Sequence, residues 1–177
     1  MRVCEVSAGL FLSDLDSAVS EAVLRSRKVT LIVNCSGLDH VTYPRIPGLQ
    51  FIHVPVQDRP HEPLDHYFDP VCERIQQNRS GSTLVHCTAG RSRSAALVMA
   101  VLMRSEGLSL RQAHERVLDQ RPFIRPNAGF WRQLQDYERH LFRTSSVRMV
   151  STTAGVLPEA LLDLDQNGAT AAYCINI

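Results

Sequence analysis

Residues 95–103, AALVMAVLM, carry no polar side chain, and a helix that is apolar on every side has to be covered on every side. The rest of the chain must therefore wrap around this segment, which reads as a central helix from about Arg93 to Ser105. At 177 residues there is material for one core, since single domains commonly use roughly 100 to 200 residues. Strand signals lie upstream. Residues 83–85 read as a short strand that runs through a loop into the central helix. Residues 29–33 and 51–56 are β-branched, apolar runs that read as buried strands, separated by a loop with Gly37, Pro44, Pro47 and Gly48. Residues 6–13 suit an edge strand or hairpin, after which Asp14 or Asp16 can cap a helix reaching about Arg25.

Helical signals dominate downstream. Tyr67, Val71 and Ile75 recur at a spacing of four, the stripe of an amphipathic helix. Ser109 and Gln112 form a capping-box pattern opening a helix to about Asp119, with Leu110, Ala113 and Val117 inward. Asn127 caps a last helix with Phe130, Leu134, Tyr137 and Leu141 on one face. Early strands and late helices predict an α/β fold with a mixed sheet flanked by helices, the last of them gathered on one side. From about Thr144 the texture turns small and polar. The expected division is a folded domain over 1–144 and a C-terminal extension over 145–177, partly packed or disordered, with 147–150 adding an extended segment.

Nineteen basic residues against eighteen acidic ones leave a net charge of +1, which gives no broad footprint for nucleic acid or an anionic membrane. Attraction to anions must be local. The longest apolar run falls far short of the ~20 residues that span a bilayer. The N-terminus reads neither as a secretory signal nor as a myristoylation site. Cys4, Cys35, Cys72, Cys87 and Cys174 are odd in number and include no C-x-x-C pair, which points to a reducing interior and away from a metal site. The expected location is the cytoplasm, with the nucleus also open.

The segment VHCTAGRSRS, residues 85–94, is a strand end, a loop and a helix start with the pattern Cys, five residues, Arg. A loop that curls around a tetrahedral anion turns successive backbone N–H groups inward, and the following helix adds the partial positive charge of its N-terminus. Thr88, Ala89, Gly90, Arg91 and Ser92 would form this phosphate cradle. Gly90 permits the turn, and Arg93 can grip two phosphate oxygens with its planar fork. The same donors favour a thiolate at Cys87, placed for in-line attack and a covalent cysteinyl-phosphate. No metal or other cofactor is needed, because Arg93 and the amides neutralise the oxygens. The leaving group needs a proton. Asp58, 29 residues before Cys87 and at the head of a Pro-rich loop, is the candidate acid, with Asp65 as competitor. Ser94 can donate to the departing thiolate when the intermediate hydrolyses.

His-Cys-x5-Arg-Ser followed by an Ala-rich helix resembles the signature of the cysteine-based protein phosphatases. VPVQD at 54–58, LSL at 108–110 and RPFIRPNAGFW at 121–131 resemble the small atypical dual-specificity phosphatases, over about residues 5–150. The resemblance implies a five-stranded mixed sheet with helices on both sides, a protein-tyrosine-phosphatase-like fold whose catalytic domain is 1–144. It implies Cys87 as nucleophile, Arg93 as phosphate clamp, Asp58 as general acid and Ser94 as hydrolysis aid. Asn34 is implied to brace the phosphate loop. The implied substrates are phosphoproteins carrying phosphotyrosine and phosphoserine or phosphothreonine, mitogen-activated kinases among them. Arg91 departs from the small apolar residue usual in the group and resembles the lipid-directed branch.

Alternative functions are a phosphatase of phosphoinositides or RNA 5′-phosphates, and a catalytically silent phosphoprotein-binding module. His86 reads equally as a tuner of Cys87 and as a structural group. Cys35 is a candidate resolving thiol. Residues 163–168, DLDQNG, copy the opening of a calcium loop, but the twelfth position, where a bidentate Glu belongs, is Cys174.

Overall fold

A computed structural model describes residues 3–161; the acidic 163–168 segment and Cys174 lie outside the described residues. The chain opens with a hairpin of β1 (Val3–Ser7) and β2 (Leu10–Ser13), then two short helices, α1 (Leu15–Ala18) and α2 (Glu21–Ser26). β3 (Val29–Asn34), β4 (Gln50–His53), α3 (Phe68–Gln77) and β5 (Ser82–His86) follow, then α4 (Arg93–Glu106), α5 (Leu110–Gln120) and α6 (Ala128–Phe142). A final hairpin joins β6 (Met149–Thr152) to β7 (Gly155–Pro158).

Five strands form one mixed sheet in the order β1-β2-β5-β3-β4, with β1 antiparallel and the others parallel. Alternation along the strands divides the core in two. Leu10, Leu12, Val33 and Val85 face α3, α4, α5 and α6, whereas Phe11, Ile32 and Leu84 face α1 and α2. The all-apolar segment lies where its composition demands. Every residue from Ser94 to Met103 is buried, with α3, α5 and α6 packed against α4 and the sheet beneath it.

The caps follow local chemistry. Ser109 and Gln112 close a reciprocal capping box on α5, and Asn127 Oδ1 accepts from Phe130 N to start α6. Two expectations are corrected. The helix placed after residue 14 is broken, because Asp14 caps α1 through Ser17 N and Ser20 then starts α2 by accepting from Val23 N. A second good cap inside the segment favours a new start over continuation. Residues 51–56 are not one buried strand. β4 ends at His53 and is an edge strand with only β3 beside it; Phe51 is 61% exposed on the face of the short α1 and α2, its ring 5.2 Å from that of Tyr43. Val54 and Val56 are buried beyond the strand's end.

His114 on α5 is buried edge-on against Trp131, ring centroids 4.8 Å apart. Burial depresses its pKa from 6.5 to about 4. Below pH 6.5 the unfolded chain binds a proton that the folded chain refuses. The histidine's part in stability is therefore intact above 6.5 and lost progressively as pH falls toward 4, by about 3 kcal/mol at most. His114→Phe keeps a ring without the titration. In parallel thermal melts, the intact protein should lose ground against this variant as pH falls from 7 to 4.5; parallel curves would remove His114 from the acid response.

Candidate active site

β5 lies in the middle of the sheet between β2 and β3, and its carboxyl end delivers the chain to the crevice where parallel strands commonly present ligand sites. Residues 87–92 form the loop from β5 to α4. Cys87, 3% exposed, sits at the base of a cleft of about 390 Å³ lined by Asp58, Thr88, Ala89, Arg91, Ser92, Arg93 and Arg125 as well. Three guanidiniums and one carboxylate make this spot basic on a chain of near-neutral charge.

Cys87 Sγ accepts from Gly90 N at 3.1 Å and lies 3.1 Å from Ser94 Oγ. The strand below is equally fixed. His86 Nδ1 is 2.9 Å from Cys87 O, a carbonyl that can only accept, so this nitrogen carries the hydrogen. Nε2 then accepts from Tyr43 Oη at 2.7 Å. Burial pushes the His86 pKa below its ordinary value, keeping the ring neutral. Both ring nitrogens of His86 are thus engaged, with Tyr43 and with the Cys87 carbonyl.

The loop is shaped from outside. Thr88 O accepts from Leu15 N at 3.0 Å, Ala89 O from Arg121 Nη2 at 3.1 Å and Gly90 O from Arg121 Nε at 2.7 Å. With three successive carbonyls held by partners behind the loop, its N–H groups are left for the concave side, as at Gly90 N. Gly90 has φ +70°, and a Cβ there would meet Arg121 Nη2 at 2.5 Å and Ser13 O at 2.6 Å. No other residue fits. Arg121 is fully buried, and Phe123 stacks on it with the guanidinium carbon 4.6 Å from the ring centre.

Arg93 Nη1 donates to Ser36 O at 2.7 Å and Val56 O at 3.2 Å, while Nη2 lies 3.5 Å from Thr88 Oγ1. Asn34 acts one step back: its side chain accepts from Ser36 N and Ser36 Oγ and donates to Leu38 O. It shapes the turn whose Ser36 carbonyl accepts from Arg93 at the end of the phosphate loop.

Asp58 Oδ1 accepts from Ser92 Oγ at 2.6 Å and Asn127 Nδ2 at 2.9 Å. Ser92 stands at the N-cap of α4 without capping it, since its hydroxyl is turned to Asp58, and it also accepts from Asn127 N at 3.2 Å. The first turn of α4 thus keeps donors for an anion. Asn127 caps α6 with its oxygen and holds Asp58 with its nitrogen. Next to it, Gly129 packs directly on the Asp58 loop, where a Cβ would lie 1.8 Å from Pro60 O. Asp65 is exposed in a 3-10 turn and does not line the cleft. Arg121, Arg125, Ser36 and the hold of Asn127 on Asp58 escape a residue-by-residue reading; the RPFIRPNAGFW run was the signal for three of these four. Cys35 is fully buried, its thiol pKa pushed well up by burial and then by Cys87.

Residues 10–140 match the family model described as dual specificity phosphatase, catalytic domain. The chain belongs to this family. The human dual specificity protein phosphatase 14 is 42% identical over 161 residues, covering 89% of this chain and 79% of the relative. The crystal structure of human DUSP28 superposes with a TM-score of 0.74 at 40% identity, covering 80% of this chain and 95% of that one. The crystal structure of the human tyrosine phosphatase-like serine/threonine/tyrosine-interacting protein is 34% identical, with a TM-score of 0.71 and coverage of 78% and 97%. The chain has helices on both faces of its five-stranded mixed sheet. Among the described residues no helix is long and apolar enough to cross a membrane, and no three His, Cys, Asp or Glu side chains converge as metal ligands.

Proposed function

We propose that this chain hydrolyses phosphotyrosine and phosphoserine or phosphothreonine in proteins through a cysteinyl-phosphate. One observation supports this above the others: Cys87 Sγ lies 3.1 Å from both Gly90 N and Ser94 Oγ in a cleft shared with Arg93 and Asp58. Loop amides and Arg93 hold the equatorial phosphoryl oxygens. The Cys87 thiolate attacks phosphorus, forming the P–S bond as the P–O bond to the leaving group breaks. The Asp58 carboxyl gives its proton to the departing oxygen. Water then attacks phosphorus, passes a proton to the Asp58 carboxylate, and the thiolate leaves with a hydrogen bond from Ser94. Ser92 and Asn127 are positioning residues for Asp58.

A silent binding module has no need for nucleophile, clamp and acid in one cleft. Phosphoproteins are the substrates under this reading, with doubly phosphorylated mitogen-activated kinases as candidates by family resemblance, and a cytoplasmic setting suits them. The test is initial-rate hydrolysis of matched phosphotyrosine and phosphothreonine peptides, a short-chain phosphoinositide and a 5′-phosphorylated RNA, all in EDTA. Both peptides should be cleaved at rates indifferent to chelator. Cleavage of the lipid or RNA in preference to both peptides would reassign the substrate, and arrest by EDTA with rescue by zinc or magnesium would overturn the chemistry.

A further inference from the structure

A second cavity, of about 100 Å³, lies between the amino end of α5 and the open end of the β6–β7 hairpin, and it shares no lining residue with the catalytic cleft. Arg111, His114, Ser146, Arg148 and Glu159 bring polar side chains to it. Arg148 and Glu159 stand opposite each other where the hairpin opens, with Glu159 N donating to Arg148 O at 2.8 Å. Their charged groups nonetheless do not meet, and neither side chain takes part in any of the seven ion pairs among the described residues. Arg111 pairs only through Nε, with Glu115 at 3.3 Å, and both partners are more than half exposed, so this tie is weak.

The buried member of the lining is His114, 3% exposed, whose Nε2 is enclosed without a hydrogen-bond partner. Burial keeps the ring neutral near pH 7, so it has one N–H and one lone pair to offer. A buried polar nitrogen left unpaired is costly, and such groups ask for an explanation. Ser146 beside it is fixed, its Oγ accepting from Arg111 N at 3.0 Å and donating to the buried Glu138 carboxylate at 2.5 Å. Glu138 also accepts from Leu110 N and Ser146 N, so its charge is already met by donors at the start of α5.

We infer that this cavity is a binding site for inorganic hydrogen phosphate, held by Arg111, Arg148 and His114 and selected by Glu159. Two guanidinium forks on one small cavity suit a tetrahedral oxyanion, because each can hold two of its oxygens. Glu159 decides which oxyanion enters. An ionised carboxylate only accepts, so it repels an anion that brings no hydrogen to share. Hydrogen phosphate near neutral pH still has a P–OH to donate. Sulfate has none, and a phosphomonoester, whose second pKa is about 6, has lost its own by pH 7.5. The lining therefore favours the free anion over a phosphorylated side chain, and its occupancy is measurable without turnover, whatever the catalytic cleft does.

The test follows the imidazole Hε1 resonance of His114 in the full chain, intact and with Arg93→Met, which removes the catalytic clamp; His114→Phe assigns the signal. At pH 7.5 inorganic phosphate should shift this resonance saturably and with the same curve in both proteins. Sulfate and methyl phosphate, at matched ionic strength, should bind roughly tenfold more weakly, the scale of one charge-assisted hydrogen bond. Arg148→Met, at an exposed position, should weaken phosphate by a similar factor. Glu159→Gln should bring sulfate to within about threefold of phosphate, because an amide does not repel it. A resonance that phosphate leaves unmoved overturns the site, and so does a phosphate affinity that survives Arg148→Met. Equal binding of the three anions by the intact protein, or a preference for phosphate over sulfate that survives Glu159→Gln, overturns the selection assigned to Glu159. Methyl phosphate binding more tightly than phosphate would give the cavity to a phosphorylated side chain instead.

Discussion

Cys87→Ser should abolish turnover of phosphotyrosine and phosphothreonine peptides, by about 10⁴-fold or more, while leaving them bound. The oxygen is smaller than sulfur but can still accept from Gly90 N and face Ser94. What shapes the cradle lies elsewhere. Leu15 N and Arg121 hold the loop carbonyls, and Arg93 is aimed by Ser36 and Val56, so the anion site should persist. The nucleophile should not, because a serine hydroxyl is weak without an adjacent base. His86 cannot serve as that base: its Nδ1 hydrogen is committed to Cys87 O and its Nε2 to Tyr43. Titration calorimetry with a phosphotyrosine peptide should give a dissociation constant for the variant within a few-fold of the wild type's KM, and steady-state assays should give no rate. A rate near that of the intact protein would remove Cys87 from the mechanism.

Asp58→Asn should slow hydrolysis of phosphothreonine by roughly 10²-fold or more, the usual contribution of a positioned acid. The substitution is conservative in shape, and the amide oxygen it introduces can still accept from Ser92 Oγ and Asn127 Nδ2. Chemistry is therefore separated from placement. An alkoxide departs poorly without a proton, whereas p-nitrophenolate departs readily, so the loss should be much smaller on p-nitrophenyl phosphate. Equal losses on both would mean that Asp58 holds Ser92 and Asn127 in place rather than delivering a proton. An unchanged rate on phosphothreonine would return Asp65 to consideration, despite its place outside the cleft.

The central helix, the caps at Ser109 and Asn127 and the cradle from Cys87 to Arg93 were legible because each depends on neighbours in sequence. A run without polar residues has one way to be satisfied, and a strand-loop-helix with Cys and Arg at fixed spacing builds its own concavity. Phe51 misled for the opposite reason: its exposure depends on β4 being the last strand, which residues 50–53 cannot reveal. The break near Ser20 came from a second good cap inside the segment, which starts α2 where continuation of α1 was expected. Arg121 was hidden because a lone arginine between prolines and a helix end reads as surface, while its actual partners lie 31 and 32 residues upstream. Ser92 was placed in the cradle for its backbone, and only the fold could turn its hydroxyl toward Asp58.

The hold of Arg121 is on main-chain oxygens of Ala89 and Gly90, and that of Leu15 is on the main-chain oxygen of Thr88. Backbone atoms are the same whatever the side chain. Positions 88, 89 and 91 can therefore change identity without the loop losing its curvature, so the cleft's rim is open to variation while its floor is inherited intact. A lineage with this architecture can drift between substrates by single substitutions around the opening and keep the phosphoryl-transfer machinery throughout. Arg91 stands at one of these positions, its side chain reaching out to Phe123 O rather than holding the loop's own backbone.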